Sequence, residues 1–218
     1  TSIIIPEGVT NIGTSVFINC SSLESIILPD TLTSIGASVF YNCSSLTSIT
    51  LPDTLTSIGA SVFYNCSSLE SIILPESIIN IGSNAFKQCD TIEIYCEVSS
   101  IPSGWNSNWN PSNRPVYWGS IKGVVKDNIK YVILTNGTLT VYKYLGNNSE
   151  VIIPESIEID GVIYDVTSIS DSAFSGCKCL NNIVIPDSVT SIGLSAFYNC
   201  SNLTSITLPF IGQYADGS

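Results

Sequence analysis

A 23-residue phrase recurs almost letter for letter from the first residues to Cys89. Pro6, Pro29, Pro52 and Pro75 form one column, Gly13, Gly36, Gly59 and Gly82 a second, and Phe17, Phe40, Phe63 and Phe86 a third. Cys20, Cys43, Cys66 and Cys89 form a fourth. A fixed period of this size predicts a solenoid, because one unit is too small to bury its own apolar face and must stack on its neighbours. Within a unit, Leu46, Ile49 and Leu51 point to a short strand that ends at Pro52, which has no N–H to give to a ladder. A second short strand is expected over 55–58, stopping at Gly59. Residues 60–64 are then expected to form a helical turn that drops Phe63 into the core. Each repeat is one coil, and near-identity stacks one residue type on itself at every level.

The pattern stops after Cys89 and resumes with Phe174, Cys177, Leu180, Ile183, Pro186, Gly193, Phe197, Cys200, Leu203, Ile206 and Pro209, so two arrays are expected. The spacing Leu46-x-x-Ile49-x-Leu51 matches a leucine-rich repeat core, and LPDTLTSIGASVFYNCSSLTSI, residues 28–49, resembles the BspA-type leucine-rich repeats. Those repeats also occur in Treponema surface proteins and in surface families of parasitic protists. The resemblance implies a β-rich α/β solenoid, a right-handed leucine-rich-repeat superhelix in two arrays with a β-hairpin insertion. It also implies a cell-surface or secreted protein, since known members are mostly such proteins and some are adhesins for host matrix proteins or other microbes.

Along the chain, residues 1–120 read as a leucine-rich repeat array with an aromatic C-terminal cap. All three tryptophans, Trp105, Trp109 and Trp118, fall in its closing stretch. Large rings over a solenoid end would cover both the open core and the unpaired strand edge. The rival reading of the three rings is an exposed carbohydrate-binding platform. Residues 121–150 break the period and read as a β-hairpin connector. Alternation around Asn136-Gly137 predicts a two-residue turn that pairs Leu134 with Leu139 and Val132 with Val141. A shorter hairpin is expected from Ile157 to Tyr164 around Asp160-Gly161. Residues 151–218 read as a second, shorter array whose repeats run to Pro209. From Phe210 to Ser218 the repeat phrase is dropped, and an open end there would offer an edge for dimerisation.

The chain contains no histidine, so the commonest general base and the usual metal ligand are both missing. No phosphate-cradling glycine loop is present. The reading is of a non-enzyme without cofactor or metal. Net charge is −11, and no Lys or Arg occurs before Phe86, which argues against a nucleic-acid or anionic-membrane partner for that half of the chain. No apolar run is long enough to span a membrane. Stacked cysteines would have parallel side chains, which suits buried reduced thiols at Cys20, Cys43, Cys66, Cys89, Cys177 and Cys200 and suits neither bridges nor a tetrahedral metal. Cys96 and Cys179 stand outside the column. Asn19, Asn42, Asn65 and Asn199 open Asn-Cys-Ser triplets that fit the N-glycosylation pattern. Their other reading is closure of the helical turn through bonds to nearby backbone.

Two exposed columns are candidates for binding. Alternation along the first strand turns Ser48 and Thr50 outward, with Ser25, Ile27, Ser71 and Ile73 in equivalent places; this face would receive a protein partner or an added strand, or stand as an inert solvated sheet. The second column is Glu7, Asp30, Asp53 and Glu76, one carboxylate per coil after each proline, about 5 Å apart. Such a rim attracts a basic partner or divalent cations, although an acidic residue after proline is also ordinary turn chemistry. The function expected is a non-catalytic, adhesin-like module that binds a protein, such as a host matrix or surface protein, or a glycan. A structural spacer with no ligand of its own is the alternative, and the near-constancy of the exposed columns speaks for it.

Overall fold

The computed structural model describes residues 1–208. The expected loss of the repeat phrase from Phe210 to Ser218, and the open end there, lie outside the described residues. Two compact units are formed, Thr1–Ile121 and Lys122–Ser218. Each is a β-solenoid of stacked coils, built from strands of two to eight residues.

In the first unit every coil contributes two rungs. Ser2–Ile4, Ser25–Ile27 and Ser48–Ile49 form one parallel sheet, in the register Ser2↔Ser25↔Ser48. Ser71–Leu74, Glu93–Cys96 and Val116–Trp118 form another. The second rungs run Ile12↔Ile35↔Ile58↔Ile81, each exactly one period on, in a four-stranded parallel sheet. Rungs of two residues are too short to be stable alone, so each holds its shape only because equivalent atoms lie above and below it. Leu32, Leu46, Leu55, Leu69 and the rings of Phe40, Phe63 and Phe86 are fully buried. Those rings stack at 5.4–5.7 Å, nearly parallel, from Phe17 through Phe86.

Glycine closes each coil for reasons of space. A Cβ on Gly59 would lie 2.5 Å from the Ala37 nitrogen of the coil below, whereas one on Gly13, the first of the column, would meet only a Val16 methyl at 3.9 Å. The N–H of Gly59 instead donates to Ile35 O at 2.8 Å.

The expected helical turn is absent, and there is no helix among the described residues, so the α component of the α/β expectation is corrected. Ser61 and Asn65 both have positive φ, 55° each, which breaks any helical run. The N–H groups of Ser61, Phe63 and Asn65 donate to Ser83 O, Ala85 O and Lys87 O of the next coil. A five-residue helix would leave most of its backbone groups unmet, and the neighbouring coil meets them instead. Phe63 still enters the core. The asparagines also differ from expectation: Asn42 Nδ2 donates to Asn19 Oδ1 at 2.9 Å and Asn65 Nδ2 to Asn42 Oδ1 at 3.0 Å, so the side chains bond along the stack and not to nearby backbone.

The segment after Cys89 is a further coil written in other residues. Trp105 bridges Ile81 as the next rung, and Asn106 N–H donates to Ile81 O as Gly82 N–H does to Ile58 O. Trp109 sits edge-on to Phe86 at 5.8 Å, and Trp105 packs on Trp109 at 4.9 Å. Both rings are buried, and Trp118, half-buried, lies against them. Trp105 Nε1 donates to Ile78 O at 3.1 Å. Arg114 ties the segment to the coil before it through Asp90, with Nη2 to Oδ1 at 2.7 Å. These rings do not form an exposed platform.

Next to the strand Ser120–Lys126, the second unit has a hairpin, Ile129–Leu134 with Leu139–Tyr144, whose register next to the turn differs from the expected one. Ile133 faces Leu139 and Tyr131 faces Val141. Leu134 N–H donates to Thr138 O and Gly137 N–H to Leu134 O, with Gly137 at φ 78°. This is a three-residue loop in which Gly137 takes the left-handed place, and Asn136 Oδ1 caps Thr138 N–H at 3.1 Å. One residue of shift turns each side chain to the other face. Ser156–Ile159 and Val162–Ile169 form the second hairpin, with the two-residue turn at Asp160 and Gly161 that the sequence indicates.

The hairpin strand Leu139–Tyr144 is itself a rung. Val141 pairs with Ile169, and Ile169 with Ile192, in parallel. Tyr144 takes the phenylalanine place: its ring stacks on Phe174 at 5.5 Å, its N–H donates to Ala173 O, and Phe174 stacks on Phe197 at 5.3 Å. Beside them, Glu150–Ile152, Asn182–Val184 and Ser205–Thr207 form the other parallel sheet.

Candidate functional site

The outward side of the first rungs in the first unit holds the candidate residues. Strand alternation buries Ile26, Ile49 and Ile72 and leaves the residues on either side facing out. Ser48, Thr50 and Ser71 are exposed, Ser25 is half-buried, and Ile27 and Ile73 expose 56% and 42% of their surface. For aliphatic side chains on sheet strands those values are high. The carboxylates of Glu7, Asp30, Asp53 and Glu76 are all exposed, one turn beyond the rungs.

The structure brings the two columns together. Ser48, Thr50, Ser71 and Ile73 line a shallow groove of about 340 Å3 with Asp53 and Glu97. A second groove, about 210 Å3, runs between Ile27, Asp30 and Thr50. Each groove has an aliphatic and hydroxyl floor and a carboxylate at its rim. Glu7 lines neither. Glu76 borders the first through its backbone, since its N–H donates to Glu97 Oε2 at 3.1 Å.

Two residues escaped the sequence reading. Ile4 pairs with Ile27 and exposes 69% of its surface, the most of the column. It stands one period before Ile27, so the repeat alone would have found it. Glu97 could not be found that way, because the register shortens to Ser71↔Glu93 at this coil and Glu97 falls out of step with Glu76. Beyond it the outward face changes character. Tyr95 and Tyr117 stack at 4.8 Å, both hydroxyls donate to Glu93, and both rings are buried.

The thiols divide in two groups. Cys43, Cys66, Cys89 and Cys96 are buried, and Cys43, Cys66 and Cys89 donate to Phe17 O, Phe40 O and Phe63 O at 3.2, 3.1 and 2.8 Å. Burial pushes Cys43 and Cys89 up to about 11 and Cys96 up to about 12, and raises Cys66 further. They are neutral, inert thiols at physiological pH. The expected buried column is corrected at Cys20, Cys177 and Cys200, which are half-buried, Cys20 because its coil is the first of the stack; Cys179 is exposed. No thiol is bridged.

Among the described residues no group of three or more Cys, Asp or Glu side chains is placed to hold a metal ion, and the acidic rim is a row and not a cluster. Hydroxyls, aliphatic surface and carboxylates with no histidine offer non-covalent contact. No helix of the described residues is long and apolar enough to cross a membrane.

Six copies of the BspA type leucine rich repeat region match the chain, over residues 1–109 and 141–215. Among solved structures, the chain is similar to a leucine-rich repeat protein from Bacteroides capillosus, with 31% identity over 41% of this chain and 67% of that one, at a TM-score of 0.39. It is also similar to one from Bacteroides ovatus, with 28% identity, 94% and 54% coverage and a TM-score of 0.46. A leucine rich cell surface protein from Faecalibacterium prausnitzii shares 25% identity, with 95% and 69% coverage and a TM-score of 0.36. The chain thus spans only part of the length of each. No curated protein matches it. The match is to a repeat family and lies in both units; the chain belongs to the BspA type leucine rich repeat family.

Proposed function

We propose that the chain is a non-catalytic, adhesin-like binding module of a cell-surface or secreted protein, and that the outward face of the first unit receives a protein partner. One observation carries this reading: exposed isoleucines Ile4 and Ile27 on one sheet and Ile73 on the next stand on outward faces whose grooves are rimmed by Asp30, Asp53 and Glu97. Aliphatic floor gives area to bury, and the carboxylates select a partner with lysines or arginines at matching places. Surface or secreted placement follows what is usual for BspA-type proteins. In such a place burial, and not the compartment, keeps Cys43, Cys66, Cys89 and Cys96 reduced.

The spacer reading has its own support, because Ser2, Ser25, Ser48 and Ser71 repeat at one place in each coil. A panel of immobilised extracellular-matrix proteins and glycans, with and without calcium, separates the two. Binding to a basic matrix protein that weakens with salt, and falls about tenfold in the Asp30→Asn, Asp53→Asn double variant, is expected for the binding module. Silence across the panel assigns the array to spacing.

A further inference from the structure

One coil departs from the others at a chemically telling place. After the column cysteine the chain carries Ser21-Ser22, Ser44-Ser45, Ser67-Ser68, Asp90-Thr91 and Ser201-Asn202, but after Cys177 it carries Lys178-Cys179. The preceding residue is Gly176, at φ 75°, where Asn19, Asn42, Asn65 and Asn199 stand elsewhere. Two thiols are therefore two residues apart, one half-buried and one exposed.

Their backbone is bent. Lys178 N–H donates to Gly176 O at 2.8 Å and Leu180 N–H to Cys177 O at 3.2 Å, which makes a tight turn of residues 177–180. Two Cα steps of 3.8 Å folded through such a turn leave the Cα atoms of Cys177 and Cys179 roughly 5.5 Å apart. A disulfide spans about 4.4–6.8 Å between Cα atoms. Both residues open on a shallow cavity of about 240 Å3, lined also by Tyr144, Gly146, Asn148 and Lys178. Burial, with Cys200 and Cys179 beside it, raises the Cys177 thiol above its ordinary value, and Lys143 acts the other way; Cys179 is the exposed thiol of the two and follows Lys178 in the chain. Exposure beside cations is the setting in which a thiol reacts. Cys200, the other thiol near Cys177, is occupied in donating to Phe174 O at 3.0 Å.

We propose that Cys177 and Cys179 form a dithiol–disulfide site that reacts with low-molecular-weight disulfides. The Cys179 thiolate attacks one sulfur of the small disulfide; its S–S bond breaks, a mixed disulfide forms on Cys179, and the first small thiolate leaves and takes a proton from water. Cys177 then gives its proton to solvent and attacks the Cys179 sulfur, which expels the second small thiolate. Two protein thiols are oxidised to one disulfide, and one small disulfide is reduced to two thiols.

The test uses the reduced full chain, glutathione disulfide as the probe, and an alkylating quench. Trypsin cuts after Lys178, so the peptides carrying Cys177 and Cys179 stay joined only if a disulfide links them. Wild type and Cys200→Ser are expected to give the joined pair with no glutathione retained, and reductant should separate it. Cys177→Ser should hold one glutathione on Cys179. Cys179→Ser should lose the joined pair and react at least about tenfold more slowly; since serine occupies the same place at Ser45 and Ser68, this variant keeps the turn, which circular dichroism checks. A joined pair that disappears in Cys200→Ser, a Cys179→Ser chain that reacts as fast as wild type, or wild type that retains glutathione on Cys179 with Cys177 alkylated would each overturn the proposal.

Discussion

The two units reach the same rung by different routes. From Ile12 to Ile81 the first unit repeats one coil at constant length, with Phe17, Phe40, Phe63 and Phe86 in a near-parallel stack. In the second, a hairpin intervenes between Val141 and Ile169, and a tyrosine stands where the first unit has phenylalanine. The ladder survives both changes, because it needs only that a strand end near the next one with its donors free. The ring column tolerates them too, since Tyr144 keeps its N–H on Ala173 O and sends its hydroxyl to accept from Asn148 N–H at 2.9 Å. Uniformity of the coils is thus a route to the rung and not a condition of it.

If continuous stacking is what stabilises the first unit, its middle should be the most sensitive place. Phe63→Ala, with the ring fully buried between two others, is expected to cost about 3–5 kcal/mol in chemical denaturation. Phe197→Ala in the second unit, only half-buried, is expected to cost under about 2 kcal/mol. Equal losses would break the comparison. Next in size, Gly59→Ala forces backbone of adjacent coils apart and is expected to cost about 1–3 kcal/mol. Gly13→Ala, whose Cβ would meet only a Val16 methyl at ordinary contact distance, should be neutral or gain roughly 0.4–1 kcal/mol.

The closing coil gives a smaller effect. Trp105→Phe keeps most of the ring but leaves Ile78 O without its donor, for an expected loss of about 1–2 kcal/mol seen as a lower midpoint in tryptophan fluorescence. A pH effect sharpens the comparison from another side. The ordinary thiol value is 9.0, and the folded values of Cys43 and Cys89 are about 11. Above pH 9 the unfolded chain loses protons that the folded one keeps, so this stabilisation is present below pH 9 and is lost as pH rises through about 11. The urea midpoint of the first unit, which holds all three tryptophans, should fall across that window, and less so in a Cys43→Ala, Cys89→Ala variant. A fall of the same size in that variant would assign the effect to other groups.

The candidate face was partly legible beforehand. Alternation around Ile49 turned Ser48 and Thr50 outward, and the same period leads to Ile4 and Ile27, because strand geometry is local. That Asp53 and Glu97 border one groove was not legible, since it depends on where the register shortens between coils. Tyr144 hid for a similar reason: its rung lies off the 23-residue period, and only the pairing of Val141 with Ile169 places it.

What the residues decided alone is the stack itself. A unit of 23 residues with one Phe, one Gly and one Cys at fixed places cannot bury its apolar side except against its own copy, and this holds whatever the local conformation. Partners outside the coil decided the rest. Residues 60–64 have no helix because the donors of Ser61 and Phe63 find carbonyls on the coil beyond them, and Trp105 closes the array because Ile81 offers it a rung. A backbone group takes whichever partner leaves fewest groups unmet, and in a solenoid that partner is a whole period away along the chain.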